Sequence, residues 1–373
     1  MKFWGKSAVR KRVAVVFGGP SREHGVYFVS AKCLLDNLPK DLYEAVPLFV
    51  GKDGLWHGPL DSAAEMKRQL ARPSRDLLLD GVKPGSTAEP ASRIVASFVS
   101  AYSEAAPDAV FPMVHGTFGE DGVLQGLLEA LGVPYAGFGV AASAVGMDKA
   151  FMKAAFGAAG LPQVEYRVVS RDDWGRAGRR HLVEQRLEMM PLPAFVKPSC
   201  AGSSVGVTKV KEPAGLVPAV AAALEIDARA LVEAGVDARE IECSVLEGED
   251  GRPTEASIPG EIIPGHEFYD YEDKYIDDKS KSVIPADLSE AVRDEIRGLA
   301  IAAFDVLGGT GFARVDFFLE RGTDRVLVNE INSLPGFTPI SMFPKMWEAS
   351  GLPLPRLLDR LVRSAFGRPL RGR

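Results

Sequence analysis

Long apolar runs are missing from this chain. No stretch approaches the roughly 18 consecutive apolar residues of a membrane span, so no membrane partner is expected. Cysteine is scarce too. Cys33, Cys200 and Cys243 are odd in number and lack motif spacing, which argues against a disulfide framework and for a reducing compartment. Excess positive charge is absent: the net charge is -6, which leaves no global basic footprint for nucleic acid. A cluster such as Arg176, Arg179 and Arg180 then reads as solvated surface. The first residues are basic, but the V-A-V-V-F that follows is too short for a signal peptide and runs into Gly-Gly. These absences together predict a soluble, cytoplasmic protein. Two phosphate-binding strings are also missing, G-x-x-x-x-G-K-[ST] and G-x-G-x-x-G. What remains is ordinary globular composition, 46% hydrophobic and 25% charged over 373 residues, enough for two or three domains.

The most informative stretch runs from Gly311 to Met342. Two apolar runs flank a polar turn at Glu320–Arg325, which predicts a strand hairpin. Arg314 and Asp316 are two apart and share a strand face, as do Glu330 and Asn332. Pairing of the strands brings two carboxylates and one amide oxygen beside one guanidinium. Oxygen ligands of this kind suit Mg²⁺. A buried ion pair between Arg314 and the acids is the alternative. The L-P-G-F-T after Asn332 reads as a substrate loop.

Elsewhere the pattern alternates strands and helices. Arg12–Phe17 predicts a strand, ending in G-G-P-S-R-E-H-G-V and a helix over Glu23–Leu38, with backbone N–H groups at the turn. Tyr43–Val50 reads as a strand. Residues 51–107 give only an insertion around 72–92 and one helix near Arg93–Tyr102. Asp108–Val114 is a strand with H-G-T-F-G-E-D-G at its carboxyl end, where ligands collect in open α/β sheets. Apolar residues at 123, 124, 127, 128 and 131 mark a helix. M-D-K at 147–149 opens a helix Lys149–Ala159 that stops at Gly160-Leu161-Pro162. Strands are expected at Gln163–Val169 and Ala194–Val196. Lys197-Pro198 then leads into S-C-A-G-S-S-V-G-V, whose small residues let N–H groups close over phosphates; a flexible hairpin linker is the alternative. Ala230–Val236 and A-R-E-I-E-C-S-V are further strands. Residues 265–282 concentrate tyrosine and phenylalanine among charges, unlike a plain solvated loop. Leu288–Leu307 is a helix, and 353–373 a basic helix with a frayed end.

These strings together resemble the D-alanine–D-alanine ligases of the ATP-grasp superfamily, from Val13 to about Leu352. The resemblance implies an α/β fold with an α+β C-terminal part. A Rossmann-like N-terminal domain, 1–146, would precede a two-domain ATP-grasp body, 147–238 and 239–373, with an omega loop at 265–282. It implies ligation of two D-alanines by way of an acyl phosphate, for peptidoglycan precursors, with ATP, Mg²⁺ (or Mn²⁺) and a homodimer. Glu23 would hold the first D-alanine ammonium, unless it only favours its helix N-terminus. His115 would lie near the reacting carboxyl. Lys149, Lys197, Ser203, Ser204 and Lys274 would meet ATP phosphates, with Tyr275 hydrogen-bonding Ser203 across a closed lid. Glu233 and Val236 would meet adenine through backbone groups, and Glu240 the ribose. Asp316, Glu330 and Asn332 would hold the metal. Arg314 and the Gly336 N–H would stabilise the oxyanion, and Ser341 and the Met342 backbone would hold the second D-alanine carboxylate.

Two positions depart from the family pattern. Tyr27 replaces a common serine, and Ala234 a basic or aromatic residue, so base stacking must come from elsewhere. Cys200 is expected to be an inert small residue. Two other readings remain. One changes the acceptor to D-lactate or D-serine, against which Tyr275 and Met342 speak. The other is a non-enzymatic nucleotide binder, which predicts damaged metal or phosphate residues, and none is visible.

Overall fold

The computed structural model describes residues 10–19, 24–73, 89–202, 205–249, 251–264 and 280–368. The first sheet contains β1 (Lys11–Gly18), β2 (Tyr43–Val50), β3 (Trp56–His57) and β4 (Ala109–Met113), ordered β3-β2-β1-β4. β1 runs parallel to β2 and β4, and β3 is antiparallel to β2. The apolar run of β1 is continuous because both faces are covered. Val13, Val15 and Phe17 enter one core, Ala14 and Val16 another. Helix His24–Asn37 closes the first side; helices Ala91–Ala105 and Val123–Ala130 close the second. The region expected to hold one helix has a second, Pro59–Leu70, begun by proline in its first turn.

The second sheet is antiparallel: β5 (Tyr166–Ser170), β6 (Ala194–Pro198), β7 (Thr208–Val210) and β8 (Arg229–Ala234), ordered β5-β8-β6-β7. Helices Ala177–Leu187 and Leu216–Ile226 contribute to its core. β5 starts three residues later than Gln163, whose side-chain amide donates to the Lys153 carbonyl.

The third sheet holds β9 (Ala238–Leu246), β10 (Glu255–Ala256), β11 (Gly260–Ile263), β12 (Lys281–Val283), β13 (Phe312–Glu320) and β14 (Val326–Asn332). Its order is β12-β11-β9-β13-β14, with β10 on β9. Along β13, Val315, Phe317 and Leu319 turn inward onto helix Glu290–Val306 and helix Lys149–Ala158. The alternate positions, Arg314, Asp316 and Phe318, face a cavity.

Helix Leu354–Gly367 fastens the end of this arrangement to its start. Leu357, Leu358, Leu361 and Val362 share a core with Val13, Val15 and Phe17 of β1. Phe312, Phe337 and Phe343 join the same core from the C-terminal part. Tyr43 Oη donates to Asp359 at 2.8 Å, and Arg368 stacks 4.1 Å from the Tyr135 ring centroid while donating to Gly137 O at 2.5 Å.

Candidate active site

A cavity of about 780 Å³ opens where the three sheets meet. Its most charged wall is a row across three strands: Asp316 of β13 stands opposite Glu242 of β9 on one side and Glu330 of β14 on the other. Arg314 Nε and Nη2 each donate to Asp316 at 2.7 Å, and Nε lies 3.1 Å from Glu242 Oε2. Asn332 Nδ2 donates to Asp316 Oδ2 at 2.9 Å. Burial disfavours the Arg314 charge, but Asp316 and Glu242 outweigh it and hold the guanidinium well above its usual range. The ion pair and the convergence of oxygens are therefore both present. Pairing of β13 with β14 slips between Asp316 and Phe317, so that Asn329 is the extra residue. That bulge turns both Asn329 and Glu330 to the cavity.

Among the described residues no three His, Cys, Asp or Glu side chains gather as a metal cage. The donor set here is two carboxylates and an amide, all oxygen-bearing, which fits a hard cation completed by substrate phosphates. Cations of the chain lie close by. Lys149 Nζ is 3.3 Å from Glu330 Oε2 and 3.1 Å from Ala201 O.

Lys149 is placed by its neighbour. Asp148 caps the helix, accepting from Ala150 N at 3.0 Å and Phe151 N at 3.3 Å. Ser199 Oγ donates to Asp148 at 2.5 Å, Arg229 forms an ion pair with it, and Lys149 N donates to Ser199 O at 3.0 Å. The small-residue loop after Lys197 is thus tied at its root to the helix that carries Lys149. Burial pushes the Cys200 thiol up to about 12, with Asp148 and Asp227 adding to the shift. That matches an inert side chain rather than a reactive one.

The opposite wall is built from two loops. His115 and Gly116 follow β4, and Leu334 to Gly336 follow β14. Glu120 joins them: it accepts from Gly116 N at 2.7 Å, Leu334 N at 3.0 Å and Ser333 Oγ at 3.3 Å. Tyr27 is fully buried, sets its ring 5.5 Å from that of His115 at a tilt of 35° and donates to His115 O at 2.9 Å. The departure at Tyr27 therefore bears on His115. At Gly336 a Cβ would come 2.9 Å from Ser341 Oγ, so glycine keeps the loop tight. Ser341 Oγ accepts from Thr338 N at 3.0 Å and shares a 2.8 Å bond with Thr338 Oγ1. The Met342 side chain packs with Ile262, Met346 and Ile284 in a separate apolar cluster, which leaves its backbone as the part available to a ligand.

Glu233, Val236 and Glu240 line the far end of the cavity. The Glu233 side chain is committed there: it pairs with Lys197 and, at 2.6 Å, with Lys153. Ala234 offers no ring, but Phe195 and Phe318 line the same cavity. Glu23, Ser203, Ser204, Lys274 and Tyr275 lie outside the described residues.

Lys153, Glu242, Glu120 and Asn329 were missed by sequence reasoning. Lys153 was findable from its spacing, one turn after Lys149 on the same helix. Glu242 was findable two residues beyond Glu240 on the same strand face. Glu120 stands inside H-G-T-F-G-E-D-G without any sign that it spans two loops, and no pattern marks the bulge at Asn329.

Comparison with known proteins points one way. The D-ala D-ala ligase N-terminus model matches residues 12–138, and the D-ala D-ala ligase C-terminus model matches residues 155–363. The chain is 45% identical over 370 residues to the D-alanine–D-alanine ligase of Streptomyces coelicolor, covering 96% of this chain and 94% of that one. The structure of the D-alanine-D-alanine ligase from Coxiella burnetii aligns with a TM-score of 0.76 at 37% identity, over 97% of this chain and 95% of that one. The VanG D-Ala:D-Ser ligase from Enterococcus faecalis aligns with a TM-score of 0.74 at 28% identity, over 95% and 99%. With both halves matched and the relatives spanned almost end to end, the chain belongs to the D-alanine–D-alanine ligase family.

Proposed function

We propose that this chain joins two molecules of D-alanine into D-alanyl-D-alanine, with ATP converted to ADP and phosphate, to supply peptidoglycan precursors. The observation that carries the reading is the row of Asp316, Glu330 and Asn332 beside Arg314, in one cavity with Lys149 and Lys197. The carboxylate of the first D-alanine attacks the γ-phosphorus of ATP, giving an acyl phosphate and ADP. The neutral amine of the second attacks the acyl carbon, phosphate leaves with the bonding pair, and the surplus amine proton passes to the departing phosphate. Lys149 and Lys197 share the negative charge of the phosphates. Arg314 and the Gly336 N–H are the donors available to the tetrahedral oxyanion. Glu120 fixes the two loops that carry His115 and Gly336, so that both substrates meet a preset wall. No covalent nucleophile of the protein is needed, and Ser341 serves to orient.

Asp316, Glu330 and Asn332 would hold Mg²⁺ (or Mn²⁺), which neutralises phosphate charge when bound. Glu233 and Val236 would take adenine through backbone groups, and Glu240 the ribose hydroxyls. We assign Glu23 to the first ammonium, Ser203, Ser204 and Lys274 to phosphates, and Tyr275 to the lid, from the family resemblance. The three sheets support division at 1–146, 147–238 and 239–373, with the parallel strands of the first giving it a Rossmann-like character. A homodimer is inferred on the same family grounds. No helix among the described residues is long and apolar enough to cross a membrane.

The test is ADP release with Mg-ATP and D-alanine, the product being weighed by mass. D-serine and D-lactate are offered in parallel, because one structural relative is a D-Ala:D-Ser ligase. D-Ala-D-Ala as main product supports the reading. A preferred mixed product replaces the acceptor, and no ADP in any arm removes the enzyme assignment.

A further inference from the structure

Helix Lys149–Ala158 carries a second lysine one turn beyond Lys149. Lys153 has 0% exposure, whereas Lys197 and Glu233 face the cavity. Glu233, itself 3% exposed, lies between the two ammonium groups. Its Oε1 is 2.6 Å from Lys153 Nζ, as a charge contact rather than an aligned hydrogen bond, and its Oε2 meets Lys197. The Tyr166 ring covers Lys153 Nζ at 5.7 Å. Burial of an ammonium is costly, and one lysine already balances one glutamate. Burial holds the Lys153 ammonium below its usual range although Glu233 favours its charge, so the second cation is a costly surplus while Lys197 stays on Glu233.

That surplus acquires a use when a phosphate enters. If Lys197 were the only partner of Glu233, turning it toward a phosphate would strand a buried carboxylate, which is strongly unfavourable. We propose that Lys153 is a positioning residue for nucleotide binding, keeping Glu233 compensated while Lys197 moves from that carboxylate to a phosphate of ATP. This rests on the reading of Lys197 as a phosphate ligand. Burial works to raise the Glu233 carboxyl, yet Lys197 and Lys153 hold it below its usual range, so the group stays anionic and in need of a partner.

The experiment is calorimetric titration of the full chain with Mg-ATP in the absence of D-alanine. Lys153→Gln is expected to bind about tenfold more weakly, the cost of freeing Lys197 from an otherwise unpaired carboxylate. Lys153→Arg keeps the charge and should bind within about threefold of the unmodified chain. In Lys153→Gln/Glu233→Gln no carboxylate competes for Lys197, and most of the lost affinity should return. Equal weakness in the single and double variants means Lys153 only packs, and overturns the proposal. So does unchanged affinity in Lys153→Gln. If Lys153→Gln does not fold, the test passes to the other two variants: tight binding by both supports the proposal, and weak binding by the double variant overturns it. Failure of the unmodified chain to bind Mg-ATP overturns the phosphate reading of Lys197, and this proposal with it. Tight binding there with no effect of Lys153 overturns this proposal alone.

Discussion

Lys149 and Glu330 stand 3.3 Å apart, one opening a helix and the other next to the bulge in β14. Their charges compensate each other across the cavity wall. A cation placed on Glu330 would release Lys149 toward the phosphates that accompany it. Glu330→Gln should therefore lower kcat by roughly a hundredfold or more while weakening ATP binding far less. Steady-state kinetics beside nucleotide titration checks this. Near-normal turnover would sink the metal assignment.

Arg314 serves two carboxylates at once, Asp316 and Glu242. Arg314→Leu leaves buried Glu242 and half-buried Asp316 without their cation and should cost about 3 kcal/mol in urea unfolding. Arg314→Lys restores charge but not the planar fork, so kcat should stay depressed even where stability recovers. Full activity in the lysine variant would mean that only charge matters there.

Asp148 gives a pH dependence with a definite sign. Burial works to raise its carboxyl, but hydrogen bonds from Ser199 and Arg229 prevail and hold it below the ordinary carboxylate range. A carboxyl that titrates lower in the folded chain stabilises fully above its unfolded pKa of about 4. That contribution is lost as pH falls through the folded value. Asp148→Asn should be less stable at neutral pH and show a shallower loss on acidification below about pH 4. Parallel acid-unfolding curves for the two proteins would contradict this.

Phe337 packs edge-on against Phe111 and Phe312, at 5.8 Å from each, and lies 5.3 Å from Phe343. It also follows Gly336, which lines the cavity and whose N–H we assign to the oxyanion. Phe337→Ala should cost about 3–5 kcal/mol. It should also raise KM for D-alanine, since the loop loses its anchor. A stability loss with KM unchanged would separate the core from the substrate site.

The cavity row was legible in sequence because period two places Arg314 with Asp316 and Glu330 with Asn332. β2 was read over the residues where it occurs, since apolar residues there end in glycine. Helix Leu216–Ile226 was not read, because its apolar residues surround it without a polar stripe. Partnerships between distant strands and helices were also hidden. Nothing local to Lys153 names Glu233, and nothing local to Glu242 names Arg314. Met342 shows the limit of placing a residue by string alone: its position was marked, but only packing shows that its side chain turns to Ile262 and Met346.

The helix that fastens the C-terminal part to β1 sets an order on biogenesis. As the chain leaves a ribosome, Val13, Val15 and Phe17 emerge early, while Leu357, Leu361 and Val362 emerge after nearly everything else. Helix His24–Asn37 covers part of that face early, but the part that Leu357, Leu361 and Val362 fill lacks its partner through most of synthesis. The nascent chain thus carries an exposed flank that a chaperone would have reason to shield until translation is nearly done.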